Sequence, residues 1–230
     1  MPNKKAIKKL FDQIAPHYDQ LNHLLSLSVD KSWRRKAVSK ILEFPHQRVL
    51  DMACGTADFS IALAKAGVPS VLGLDISEQM LLIGRQKVQA LGLSEIIQLE
   101  QGDSEAIAYP DNSFDAVGVA FGVRNYENLE LGLREMLRVL KPGGMLLVLE
   151  LSVPQGRFLY ALYSFYFTRI LPWIGGLISG DKQAYAYLPA SVLRFPKPGD
   201  FLKILQSCGY IETRQQTLSL GLARIFTGKK

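Results

Sequence analysis

The stretch "VLDMACGTADFSIALAKAG" from Val49 passes from an apolar run through an acid into a turn of small residues, then leaves as a helical pattern. A dinucleotide turn needs glycines at three set positions, so that the backbone can approach a pyrophosphate and the helix can pack on the strand. Here those positions hold Ala53, Gly55 and Asp58. A carboxylate at the third would repel a pyrophosphate, on the scale of ~4 kcal/mol for two unit charges about 4 Å apart near a protein surface. A nucleoside cofactor without phosphate escapes that repulsion. S-Adenosylmethionine carries a cationic sulfonium and an ammonium, so it would gain from Asp51 and Asp58 what a dinucleotide would lose.

Two later acids extend the series. Asp75 closes "VLGLDIS" about 20 residues after the turn, where a carboxylate can accept both hydroxyls of an adenosine ribose. Its other reading is a helix N-terminal charge beside Ser77. Asp103 closes "QGDSEAI", where it could accept from an adenine amino group while the Ser104 amide donates.

Such a series needs a scaffold that brings strand ends together. From Val49 onward, short apolar runs alternate with helical patterns, which predicts an α/β fold: a doubly wound, mostly parallel, Rossmann-like sheet. The predicted strands lie in "RVLDMAC", "SVLGLDI", "IIQLEQGD", "FDAVGVAFG" and "GGMLLVLELS". Helices are expected in "DFSIALAKAG", capped by Gly67, in "SEQMLLIGRQKVQALG", opening on Ser77, and in "NLELGLREMLRVLKPGG", stopped by Pro142-Gly143-Gly144. The tail "YIETRQQTLSLGLARIFTGKK" holds two more strands with no room for a helix between them, so an antiparallel edge hairpin brings the sheet to seven. One domain over 1–230 is expected: a helical cap at 1–45, a cofactor-binding core at 46–152, a helical insertion at 153–198 and a C-terminal helix with the edge hairpin at 199–230.

Composition narrows the partners. The chain has 230 residues, 48% hydrophobic and 21% charged, enough to bury a substantial core. Cys54 and Cys208 stand far apart, and His17, His23 and His46 lack ligand spacing, so neither a disulfide framework nor a metal is expected. The net charge of +6 fits either an anionic surface or a solvated lysine face. The opening "MPNKKAIKKLFDQIAPHYD" lacks an apolar core and a cleavage site, so a cytoplasmic location is expected. The aromatic run from Phe158 is broken by Arg169, Pro172 and Gly175-Gly176, which disfavours a membrane span. It suits a lid that touches the bilayer, or a helical pair packed on the domain.

Several motifs in order resemble the ubiquinone/menaquinone biosynthesis C-methyltransferase family, a branch of the class I methyltransferases. "YDQLNHLLSLSVDKSW" is similar to its first signature at Tyr18, Asp19, Asn22, Ser26 and Trp33, with Leu21 in place of methionine and Asp30 in place of histidine. "RVLKPGGMLLVLELS" matches the second signature throughout, and "GDKQAYAYLPASVLRFP" resembles a later stretch. In the turn, Ala57 replaces a glycine; since alanine resists positive φ, ordinary helical dihedrals are expected there.

The resemblance implies S-adenosylmethionine as the cofactor, held by Thr56, Asp75, Asp103 and Ser104, to which the reading of the turn adds Asp51 and Gly55, and a polyprenylated quinol as the substrate. It assigns Arg124 and Asn125, in "FGVRN", to the quinol hydroxyl, with Tyr18 as a further contact. An arginine is always protonated, so it would stabilise a phenolate rather than act as a base. Demethylmenaquinol is the expected acceptor, with the methoxy-benzoquinol of ubiquinone synthesis, or both, as the alternative. A salt bridge from Arg124 to Glu127 or Glu130 is the competing reading of that arginine. No nucleic acid partner is expected, since "FGVRN" lacks the Asp/Asn-Pro-Pro-aromatic clamp. Peripheral membrane contact and a homodimer stay open, as does a non-catalytic cofactor-binding module.

Overall fold

The computed structural model describes residues 3–26, 28–154, 156, 161 and 182–230. Its centre is a seven-stranded sheet in the order β3-β2-β1-β4-β5-β7-β6. The strands are β1 (Arg48–Met52), β2 (Ser70–Asp75), β3 (Ile97–Gln101), β4 (Phe114–Ala120), β5 (Leu140–Leu151), β6 (Ile211–Leu218) and β7 (Ala223–Lys229). The first five run parallel. The tail forms the expected hairpin, and within it β7 is the antiparallel strand, paired with β5 on one side and β6 on the other.

Strands covered on both faces must be apolar on both, which is why they read as continuous runs rather than alternations. Val49, Ala116 and Leu147 face one layer, against α3 (Val29–Ile41), α4 (Asp58–Lys65) and α5 (Glu78–Ala90). Leu50, Val117 and Val148 face the other, against α6 (Leu129–Val139) and, beyond it in sequence, α8 (Pro198–Ser207). Between these two helices lies α7 (Lys182–Arg194). The chain opens with α1 (Lys4–Ile14), a short 3-10 turn and α2 (Tyr18–Leu25).

Local signals set several boundaries. The Ser77 side chain accepts from the Met80 N–H and starts α5, and Gly67 takes φ +95° just past α4. Helix α6 stops at Val139, before the expected Pro-Gly-Gly. Loop residues 112 and 113 donate to the Arg138 and Val139 carbonyls, and the proline at 142 disfavours helix at the preceding residue, so β5 begins at Leu140. The aromatic run from Phe158 and most of the expected insertion lie outside the described residues. Among those described, no helix is long and apolar enough to cross a membrane.

Candidate active site

The strand order reverses between β1 and β4, and a cleft opens at the carboxyl ends of these strands. The turn after β1 carries three left-handed residues at alternate positions: Ala53 (φ +55°), Gly55 (φ +55°) and Ala57 (φ +66°). The helical dihedrals expected of Ala57 are therefore not found. The turn has to fold back in a few residues, with the Ala57 N–H on the Cys54 carbonyl at 2.9 Å, before its own carbonyl receives the Ile61 N–H at 2.8 Å. The turn meets both demands here with a positive φ, and the buried Ala57 methyl packs where α5 offers Gly84. A left-handed alanine costs roughly 1–2 kcal/mol, which the surrounding packing sustains.

Asp75 ends β2 and anchors this turn. One carboxylate oxygen accepts the Gly55 N–H at 2.8 Å and the other the Ser77 N–H at 2.8 Å. Burial raises its pKa, and those two donors work against the rise. The helix charge beside Ser77 and the cleft position thus coincide in one side chain.

The cleft, with about 680 Å³ of space open to solvent, has two walls. Gly55, Asp75, Ile76, Met80, Asp103 and Ser104 form the core wall; Lys4, Ile7, Phe11 and Tyr18 of the helical cap form the other, and Phe121, Asn125 and Tyr126 close one end. Ile76 and Met80 give an adenine-sized ring an apolar bed, and the carboxylates of Asp75 and Asp103 are acceptors for hydroxyl or amino groups. Among the described lining residues, Lys4 alone is a lysine or arginine. Its ammonium is engaged by Asp103 at 2.6 Å and Glu105 at 3.2 Å. This donor set fits a cationic nucleoside without phosphate, such as S-adenosylmethionine, and offers nothing for a pyrophosphate.

Three anticipated residues stand outside the lining. Asp51 lies behind the turn, 1% exposed. One of its oxygens accepts from Ser60 Oγ at 2.5 Å, the other has no hydrogen-bond partner among the described residues, and burial pushes its pKa up to about 7. Thr56 is buried; its hydroxyl donates to Asp19 at 2.5 Å and so ties α2 to the turn. Lys87 of α5 reaches Asp19 at 2.7 Å and Asp58 at 2.5 Å, so Asp58 serves this latch rather than a ligand's positive charge. Arg34 adds a contact to Asp58 at 3.4 Å and holds Asp30 at 2.5 Å, which gives the acid at position 30 a structural partner on its own helix.

Arg124, the third, sits beside the cleft's end, in a 3-10 turn after β4. It pairs with Glu150 at 2.7 Å, and with neither Glu127 nor Glu130. Its Nη1 also donates to the Phe121 carbonyl, and Nε to Ser191 Oγ at 3.3 Å. Burial raises the pKa values of both Tyr18 and Tyr187, and the Arg124 charge opposes the rise in each, so the guanidinium lies within electrostatic reach of two phenols. Tyr187 Oη donates to Asn125 Oδ1 at 2.8 Å. Residues 187 and 191 are one turn apart on α7, so one helix face holds both members of the Arg124-Asn125 pair.

Glu150, Tyr187 and Ser191 were not anticipated. Glu150 had a signal, a lone charge inside the apolar run "MLLVLELS", which requires a buried partner. The i, i+4 pair on α7 had none, because its significance depends on what it faces.

The ubiE/COQ5 methyltransferase family profile matches residues 1–230. The ubiquinone/menaquinone biosynthesis C-methyltransferase UbiE of Geobacter sulfurreducens is 47% identical over 228 residues, covering 98% of this chain and 89% of that protein. The demethylmenaquinone methyltransferases of Deinococcus radiodurans and Bacteroides fragilis are 45% and 41% identical, each over 98% of this chain and 93% of theirs. Among solved structures, the cyclase SpnF superposes with a TM-score of 0.75 at 18% identity, over 100% of this chain and 97% of that one. A SAM-dependent methyltransferase from Thermotoga maritima gives 0.69 at 21%, over 96% and 99%. At these identities the structures speak for the fold alone.

Proposed function

Because the chain belongs to the ubiE/COQ5 methyltransferase family, we propose that it transfers a methyl group from S-adenosylmethionine to a ring carbon of a polyprenylated quinol, turning demethylmenaquinol into menaquinol. The observation that carries the reading is the meeting of Tyr18 from the cap and Asn125 from the end of β4 in one cleft, with the Arg124 guanidinium beside them. That cleft also presents the carboxylates of Asp75 and Asp103 to a nucleoside.

When bound, the cofactor supplies a methyl group already activated on a cationic sulfur. The chain's tasks are then alignment, exclusion of water and help with the phenolic proton. A neutral ring carbon is a poor nucleophile, and an electron-poor quinone a worse one, so the acceptor must be the reduced quinol. Arg124, permanently protonated, stabilises the phenolate as it forms. Asn125, whose Oδ1 is held by Tyr187, keeps its amide donor for the same ring oxygen. Asp75, Asp103 and the Ser104 amide hold the adenosine end, and Gly55 lets the turn come close. The substrate's polyprenyl tail resides in a bilayer, so the enzyme meets it at the membrane surface.

Relatives bearing the combined ubiquinone/menaquinone name favour a second reading, in which a methoxy-benzoquinol is also accepted. Methyl transfer from labelled S-adenosylmethionine to demethylmenaquinol and to a demethyl-benzoquinol, both kept reduced with dithionite, separates the two. Product from the naphthoquinol alone supports the first reading and product from both supports the second. Product from neither, with cofactor still bound, leaves a non-catalytic module.

A further inference from the structure

Glu150, the last residue but one of β5, has no exposed surface and follows the buried apolar run Met145–Leu149. Moving a carboxylate there costs several kcal/mol unless it is paired and hydrogen-bonded. Its pairing converges on one residue. Oε1 accepts from Arg124 Nη1 at 2.7 Å and from the Leu151 N–H at 2.8 Å, while Oε2 accepts the Arg124 backbone N–H at 3.3 Å. One carboxylate thus grips Arg124 by both its main chain and its guanidinium. The Phe121 carbonyl and Ser191 Oγ complete the hold on Nη1 and Nε. Among the described residues, Nη2 makes no hydrogen bond, so it is the one guanidinium nitrogen that this hold leaves unengaged.

We propose that Glu150 is the positioning residue for Arg124: it fixes the guanidinium so that Nη2 is offered to the ring hydroxyl of the acceptor. The proposal rests on the part given to Arg124 in methyl transfer. Without the carboxylate, acids nearer in sequence compete for the arginine, since Glu127 lies on the cleft and Glu130 on the first turn of α6. A freed guanidinium would turn to them and away from the ring oxygen. Two opposite electrostatic consequences follow from removing the charge. If Arg124 stayed in place, losing a nearby negative charge would make the phenolate easier to form; if Arg124 wandered, it would become harder. Positioning predicts the second.

The test uses the full chain carrying Glu150→Gln, Arg124→Ala and both together. For each, kcat and KM for the reduced quinol, a pH–rate profile and the affinity for S-adenosylhomocysteine are measured. For Glu150→Gln, kcat is expected to fall on the order of 10–100-fold, with cofactor affinity held and the acidic limb of the profile moved to higher pH. Because Glu150 works through Arg124, the double variant should be no slower than Arg124→Ala, within about threefold.

Full kcat in Glu150→Gln beside a slow Arg124→Ala overturns the proposal and leaves the role of Arg124 intact. So do multiplying losses in the double variant, or a limb that moves to lower pH. Full kcat in Arg124→Ala overturns the reading of Arg124 itself. Should the glutamine variant fail to fold, Glu150→Asp carries the test, since it keeps the charge but withdraws it by one methylene. A lower kcat at unchanged cofactor affinity then supports positioning, and an unchanged kcat overturns it.

Discussion

The Asp75 carboxylate accepts the Gly55 N–H at 2.8 Å across 20 residues of sequence, so the acid that ends β2 also holds the turn that ends β1. The same side chain therefore shapes the floor of the cleft and offers an acceptor within it. Asp75→Ala should weaken S-adenosylhomocysteine binding by about 10–100-fold, the scale of one or two hydrogen bonds to a charged group. Titration calorimetry measures this directly, and unchanged affinity would remove Asp75 from the cofactor site.

Arg124 stands outside the wall that carries Asp75 and Asp103, so its loss should be felt in turnover rather than in cofactor affinity. Arg124→Ala is expected to leave S-adenosylhomocysteine affinity within about twofold while kcat falls on the order of 100-fold, as for other donors aimed at a developing oxyanion. Steady-state kinetics with the reduced quinol decides it. Full turnover in this variant is incompatible with the mechanism.

Gly84 offers a contest of signs. An alanine inside α5 would gain about 1 kcal/mol of helix propensity. A Cβ there would lie 2.9 Å from Leu99 Cδ1 and 3.3 Å from both the Ala57 methyl and the Thr56 carbonyl carbon. Overpacking of this kind costs roughly 1–3 kcal/mol, and one of the crowded atoms is backbone, so the penalty should win. Gly84→Ala is expected to lower the melting temperature by a few degrees, roughly 2–4 °C per kcal/mol for a chain of this size. A higher melting temperature would show that the turn can yield.

The Asp51 carboxyl is pushed up to about 7 by burial, while the unfolded chain returns it to its ordinary 3.8. Between those values the folded protein holds a proton that the unfolded chain has released, so its contribution to stability is complete below the lower value and is lost as pH rises through the upper one. Asparagine carries no charge to bury. In the absence of cofactor, Asp51→Asn should gain on the original chain as pH rises, by on the order of 4 kcal/mol between about pH 4 and pH 8. Urea unfolding at the two ends of that window measures the difference. A gap that does not change with pH would mean that Asp51 is ionised throughout.

The strand–helix alternation, the Ser77 cap and the terminal hairpin could all be read directly, because periodicity and capping are properties of neighbouring residues. Asp75, Asp103 and Asn125 could be placed near a cleft for a similar reason, since parallel strands deliver their carboxyl ends to one edge. Asp51 and Thr56 share the motif with Gly55, yet a strand and a turn send successive side chains to different sides, so the first points behind the turn and the second towards the cap. Asp58 is drawn to Lys87, 29 residues away, and no spacing rule announces that pair.

The sequence by itself determined the fold class, the family and the cluster of strand ends that borders the cleft, since each follows from local patterns and ordered motifs. Tertiary structure alone decided which of the marked residues face one another. Only in the folded chain does β5 bring Glu150 under Arg124, α7 bring Tyr187 to Asn125 and α5 bring Gly84 beneath Ala57. The reason is physical: hydrogen bonds and ion pairs act over about 3–4 Å, and the packing of the helices on the sheet sets which distant groups come that close. Ala57 shows both levels at once: local hydrogen bonds to Cys54 and from Ile61 bracket its left-handed conformation, and Gly84 of a distant helix leaves room for its methyl.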